Sequence, residues 1–157
     1  MKILIIAVGK VKAEYAQIGC QLFVDRIRRY LPIDVIETRD IKRRNKGETN
    51  QYKAEEAAAI RAAIPKGSYV VALDEHGHES TSRKFASWIQ KRRDTAVSTL
   101  VFIIGGPDGL DAELRTGAGR VMALSQLTFS HELARLLLLE QVYRAATIMA
   151  GHPYHRD

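Results

Sequence analysis

A chain of 157 residues is one domain by the usual size scaling, long enough to bury a core without staples. Its 24 Lys and Arg against 18 Asp and Glu leave a net charge of +6, which favours a polyanionic partner such as nucleic acid, with ordinary basic solubility as the plain alternative. The single cysteine, Cys20, excludes an internal disulfide and fits a reducing compartment, and no apolar stretch reaches the length of a membrane span, so the expectation is a cytoplasmic protein with no membrane partner.

Residues 3–8 form an unbroken apolar run, the pattern of a central strand covered on both faces. The run is too short for a signal peptide and stops at Gly9 and Lys10 without a small-residue cleavage site. Over residues 11–30, Tyr15, Ile18, Leu22, Val24 and Ile27 recur at roughly helical spacing. Arg26, Arg28 and Arg29 crowd the end of that helix, where cations suit the dipole, and Pro32 stops it. Residues 33–37 read as a short strand with a partly exposed face. Residues 39–51 hold Lys42, Arg43, Arg44 and Lys46 with almost nothing apolar, a loop whose charge is either a solvated surface or a phosphate-contacting arm. The Ala- and Glu-rich residues 51–64 favour helix, ended by Pro65, Lys66 and Gly67.

Residues 69–73 are the next strand, followed by Asp74, Glu75, His76, Gly77, His78 and Glu79. That cluster lacks the spacing of a metal-ligand set, so no metal is expected, and its glycine and acidic residues suit a tight turn. Ser80 or Thr81 caps a helix over 82–93 that buries Phe85, Trp88 and Ile89 and carries a second basic cluster, Lys91, Arg92 and Arg93. A strand at 99–104, a glycine loop at 105–110, a short helix at 111–117 and a strand at 120–124 come next. The last helix starts near Ser130, a cap, and runs to Met149. Its apolar residues cover too much of the circumference for a surface helix, so part of it should meet the sheet or a second subunit. Within it Glu140 and Arg144 have the spacing of an i,i+4 pair. Five strands alternating with helices argue for a single α/β domain over residues 1–157 with a mainly parallel sheet.

In such a sheet ligands bind beyond the carboxyl ends of the strands, which singles out the glycine loop at 105–110 and the loop at 124–131. Gly105, Gly106 and Gly109 do not form GxGxxG, and no GK[ST] follows, so neither a dinucleotide nor a P-loop reading fits. Three glycines nonetheless let backbone approach a ligand closely, as a nucleoside moiety would need. Ser125, Ser130 and His131 lack a nucleophile elbow and a carboxylate orienter, so a hydrolase triad is disfavoured and a reactive cofactor is the better source of chemistry.

Several stretches together carry a specific resemblance: Met1 to Ile3 with Ala7 to Lys10, Val71 to Asp74, Phe102 to Leu110, Leu124 to His131, Glu140 to Ala145, and His152 to Arg156. From end to end the sequence resembles the bacterial ribosomal RNA large subunit methyltransferase H family, a branch of the SPOUT methyltransferases. The resemblance implies a C-terminal trefoil knot, an exception to the rule against threaded loops. It also implies a homodimer, S-adenosyl-L-methionine as methyl donor, and methylation of N3 of a pseudouridine in 23S rRNA on the ribosome. Carried over by motif, Leu73, Gly105, Gly106, Leu124, Ser125, Gln126, Leu127, Thr128 and Phe129 would line the cofactor pocket. His131, Arg144, Tyr154 and His155 would serve catalysis, and Arg135 and Arg156, with Lys42, Arg43 and Arg44, would meet RNA. His131, Tyr154 or His155 would take the imide proton and Arg144 or Arg156 would stabilise the anion. One departure is Ser130, where the family commonly has proline; serine caps the helix where proline would stiffen its entry. The rivals are an inert RNA-binding module of the same fold and a related methyltransferase acting on tRNA.

Overall fold

A computed structural model of the chain describes residues 1–41 and 49–156. The basic loop residues Lys42, Arg43 and Arg44 lie outside these described residues. Five strands, β1 (Lys2–Val8), β2 (Ile33–Thr38), β3 (Tyr69–His78), β4 (Thr99–Ile104) and β5 (Arg120–Met122), make one sheet in the order β2-β1-β4-β3-β5. Every pairing is parallel.

The central strand β1 shows why its sequence is apolar throughout. Ile3, Ile5 and Ala7 pack into one core with α1 (Glu14–Ile27), α3 (Ser82–Asp94) and α5 (His131–Met149). Leu4, Ile6 and Val8, pointing the other way, meet α2 (Thr49–Ala63) and α4 (Ala112–Thr116). Alternate side chains of a strand face opposite sides, so a strand covered on both needs hydrophobes at every position. The long helix α5 packs between α1 and α3 over β4. Three neighbours account for the wide spread of its apolar residues.

Local chemistry sets most element ends. Thr81 caps α3 by accepting from Lys84 N at 3.3 Å, Asp111 caps α4 through Glu113 N and Leu114 N, and Ser130 caps α5 through Leu133 N at 3.3 Å. Two readings need correction. Helix α1 begins at Glu14 and ends at Ile27, shorter than the periodicity suggests, and Tyr15, Ile18 and Leu22 stand exposed while Val24 and Ile27 are buried. The segment 74–78 is the extended end of β3 and not a tight turn. It folds back over β5, where Leu73 and His78 both pair with Met122. Gly77 permits this: a Cβ there would lie 2.6 Å from the Met122 backbone.

Candidate active site

The carboxyl ends of β3, β4 and β5 open into a cleft of about 910 Å³. Its floor is apolar, from Leu73, Ile104, Met122 and Leu124. The glycine loop after β4 forms one wall. Gly106 and Gly109 bridge each other, with Gly109 N donating to Gly106 O at 2.9 Å and Gly109 at φ 77°. The turn folds so tightly that a Cβ on Gly105 would sit 2.5 Å from Gly109 C, and one on Gly106 would sit 3.2 Å from the Glu56 carboxylate. The packing of the turn itself therefore requires both glycines, and Pro107, Asp108 and Leu110 line the cleft beside them.

Residues 124–131 form the opposite wall, with the Leu127 side chain 71% exposed. Carboxylates at the end of β3 brace the mouth. Asp74 accepts from His76 N at 2.9 Å and from Arg115 Nη1 at 3.1 Å, and it lies 3.1 Å from His76 Nδ1. Burial pushes its pKa up, but these bonds from the His76 backbone, Arg115 and the His76 ring together hold it below the ordinary carboxylate range. Thr128 donates to Glu75, and Gln126 donates to Glu79 at 3.4 Å, so β3 ties the second loop in place.

The chain terminus builds a second constellation at the far end of α5. Arg144 pairs with Glu140, and Tyr154 Oη donates to the same Glu140 Oε1 at 3.1 Å. Arg144 also lies 3.3 Å from His155 Nδ1, with its guanidinium 4.7 Å from the centre of the Tyr154 ring. Because a guanidinium only donates, Nδ1 is the acceptor there. Burial first, then the neighbouring Glu140, raise the Tyr154 pKa above its ordinary value, and the bond to Glu140 raises that of Arg144. The phenol is thus a protonated donor at neutral pH and the guanidinium a fixed cation. Tyr30 Oη and His152 Nδ1, 2.7 Å apart, pin the tail to the end of α1.

A family model described as "Predicted SPOUT methyltransferase" matches residues 1–155. The ribosomal RNA large subunit methyltransferase H of Geobacter sulfurreducens is 41% identical over 155 residues, 99% of each chain. That of Solidesulfovibrio magneticus is 44% identical over 151 residues, 96% of each chain. The chain belongs to the ribosomal RNA large subunit methyltransferase H family of SPOUT methyltransferases. Solved structures agree at the level of fold. A probable methyltransferase from Bordetella pertussis Tohama I matches with a TM-score of 0.55 at 11% identity, over 92% of this chain and 94% of that one. A probable methylase family protein from Haemophilus influenzae Rd KW20 gives 0.58 at 12% identity, over 99% of this chain and 70% of that one.

Of the cofactor positions carried over from this methyltransferase family, Leu73, Gly105, Gly106, Leu124, Ser125, Leu127, Thr128 and Phe129 line the cleft, and Gln126 points instead to Glu79. His131 joins them at the mouth. Arg144, Tyr154 and His155 do not: Arg144 lies thirteen positions after His131, about 20 Å of α5. Arg156 is exposed beside them. Arg135 is a correction, for it is only 2% exposed. Its guanidinium donates to Glu37 Oε1 at 2.5 Å and Gly9 O at 2.7 Å, so burial and these bonds keep it from any RNA surface. Sequence reasoning missed Lys53 and Arg115 in the cleft wall; both sit on ordinary-looking helices and arrive only through tertiary packing. Among the described residues no three His, Cys, Asp or Glu side chains gather as a metal site, and no helix is long and apolar enough to cross a membrane.

Proposed function

We propose that the protein is an S-adenosyl-L-methionine-dependent methyltransferase acting on N3 of a pseudouridine in 23S rRNA, within the ribosome and hence in the cytoplasm. The observation that carries this reading is the end-to-end match to relatives named for ribosomal RNA methylation, together with a cleft built from the very loops their family motifs occupy. The cleft fits the donor. Its apolar floor suits a purine, and Asp74 and Glu75 offer acceptors for hydroxyl or ammonium groups. When bound, the cofactor supplies an electrophilic methyl group on a sulfonium whose leaving group is a neutral thioether. No protein nucleophile is then needed, and the chain's work is orientation and proton handling.

The two constellations are too far apart to act on one substrate atom within one chain. We infer a homodimer in which the tail of one protomer closes the cleft of its partner. The exposed apolar stripe Tyr15, Ile18 and Leu22 on α1 supports such an interface. In that site Arg144 stabilises the imide anion left when N3 loses its proton, and Tyr154, protonated, donates or orients. His131 accepts the proton, while His155, whose Nδ1 is taken up by Arg144, orients the guanidinium. The C-terminal trefoil knot belongs to the same family-based reading.

The test is methyl transfer from labelled S-adenosylmethionine to ribosomes lacking the modification, with the labelled nucleoside identified by mass spectrometry. N3-methylpseudouridine is the expected product. Label in tRNA alone would redirect the substrate, and cofactor binding without any transfer would leave an inert RNA-binding module. Truncation after Gly151 should abolish transfer while leaving cofactor binding intact.

A further inference from the structure

At the end of the sheet away from the cleft, an arginine–aromatic cluster has no part in the site described above. Tyr69 opens β3 and Arg120 opens β5, while Trp88 and Arg92 come from the second half of α3. The Arg92 guanidinium lies 4.5 Å from the Tyr69 ring centre and 5.4 Å from that of Trp88, and the Arg120 guanidinium lies 4.8 Å from Trp88. The rings are themselves fixed. Tyr69 Oη donates to Gly119 O at 2.7 Å, and Trp88 stacks on Phe85 at 6.2 Å, which in turn packs against Phe102 of β4.

Two cations share one indole ring, yet among the described residues neither guanidinium has a hydrogen-bond or carboxylate partner, and the Nε atoms of both are buried and unpaired. Like charges held together this way repel unless an anion joins them. The helix dipole accounts for Lys91, Arg92 and Arg93 at the end of α3 but not for Arg120, which arrives from a different element. Asp94, the nearby acid, accepts from Gln90 at 2.7 Å. Exposed Lys66 and Lys91 extend the positive surface at the same end of the sheet. Planar guanidinia that are already stacked lose little freedom on binding and match phosphate oxygens two at a time.

We propose that Arg92 and Arg120, held on Trp88 and Tyr69, form a second docking site for the phosphate backbone of RNA, outside the catalytic cleft. The proposal rests on the reading of the substrate as ribosomal RNA. The site is about 13 Å along β3 from Leu73 at the cleft, four residues of strand rise, so one structured RNA reaches both. Its contacts are with phosphates and fix orientation without reading bases.

The experiment measures binding of wild type, R92Q/R120Q and R92K/R120K to deproteinised 23S rRNA and to ribosomes lacking the methyl group, as a function of salt, with cofactor affinity measured on each protein. Two phosphate contacts contribute a slope of roughly −1.8 in log K against log salt on duplex RNA, taking the duplex-DNA coefficient. The Gln variant should lose about that much slope, so that between 50 and 200 mM salt its affinity falls roughly tenfold less than that of the wild type, with cofactor affinity unchanged. The Lys variant should regain the slope because charge is restored, even where loss of the planar stack lowers its melting temperature. An unchanged slope in the Gln variant overturns the site, as does weakening on ribosomes alone with naked RNA unaffected, which would point to a ribosomal protein. Loss of slope in the Gln variant beside a wild type that transfers no methyl group would sink the methylation reading and support the docking site; wild type that binds neither RNA nor ribosomes would overturn both.

Discussion

Arg144 is the side chain on which most of the proposed chemistry converges. Replacing it with alanine removes the fixed cation and leaves Glu140 with only neutral donors, so kcat should fall about 10²–10³-fold, the effect of losing one preorganised charge-stabilising donor. Cofactor affinity should be nearly unchanged, since in the proposed site the guanidinium meets the RNA base and not the cofactor; a calorimetric titration checks this. Tyr154 separates base from donor. Burial and Glu140 hold its phenol above the usual pKa, so Tyr154→Phe should lower kcat without moving the acid limb of the pH–rate profile. A shift of that limb would make the tyrosine the base after all. Family motifs marked both side chains and helix spacing gave the Glu140–Arg144 pair, but not the bond from Tyr154 to that same carboxylate, which needs the chain to turn back after α5.

At the level of elements, the start of α5 is tied to the loop after β1 by two charged residues one turn apart. Glu132 accepts from Lys12 N at 3.1 Å and Ala13 N at 2.9 Å, satisfying donors at the head of α1, where Ala13 offers no side-chain cap. Those backbone bonds hold the Glu132 pKa below its ordinary value. Its contribution to stability is therefore fully present above the unfolded carboxylate range and is lost as pH falls through the lowered folded value. Glu132→Gln should flatten the acid side of the stability–pH curve measured by urea unfolding, with little change in that slope near neutrality. Arg135, one turn on, is the buried counterpart. Arg135→Ala should cost about 1–3 kcal/mol, because the Gly9 carbonyl loses its donor while Glu37, partly exposed and still accepting from Val11 N, loses only its cation; a thermal melt reads the loss. A loss under 1 kcal/mol would show that water replaces the guanidinium without penalty. Carry-over from the family motif had put Arg135 against RNA, and nothing along the chain reveals that a carboxylate 98 residues away in sequence is waiting.

For the whole molecule the central prediction is that a working site takes residues from two chains. Leu127→Glu changes an exposed wall of the cleft, so it should weaken cofactor binding without unfolding the protein. Mixed with the chain truncated after Gly151, itself inactive, it should regain activity, because the heterodimer holds one intact cleft facing one intact tail. No recovery on mixing would mean that the tail acts on its own chain or not at all. Ile18→Asp, in the centre of the exposed α1 stripe, should give monomers in analytical ultracentrifugation that bind cofactor but transfer nothing.

The sequence by itself determined the strands, the helices and the two loops at the cleft. Hydrophobic period, capping residues and glycines act over a few residues, so β4 and α5 could be read almost to their ends, and family motifs located nearly all of the cleft lining. Tertiary structure alone decided the strand order β2-β1-β4-β3-β5, the fold-back of β3 over β5 at Gly77, the burial of Arg135 and the meeting of Trp88, Arg92 and Arg120. Each of these depends on which element lies beside which, and a residue's partners across the sheet leave no periodic trace along the chain.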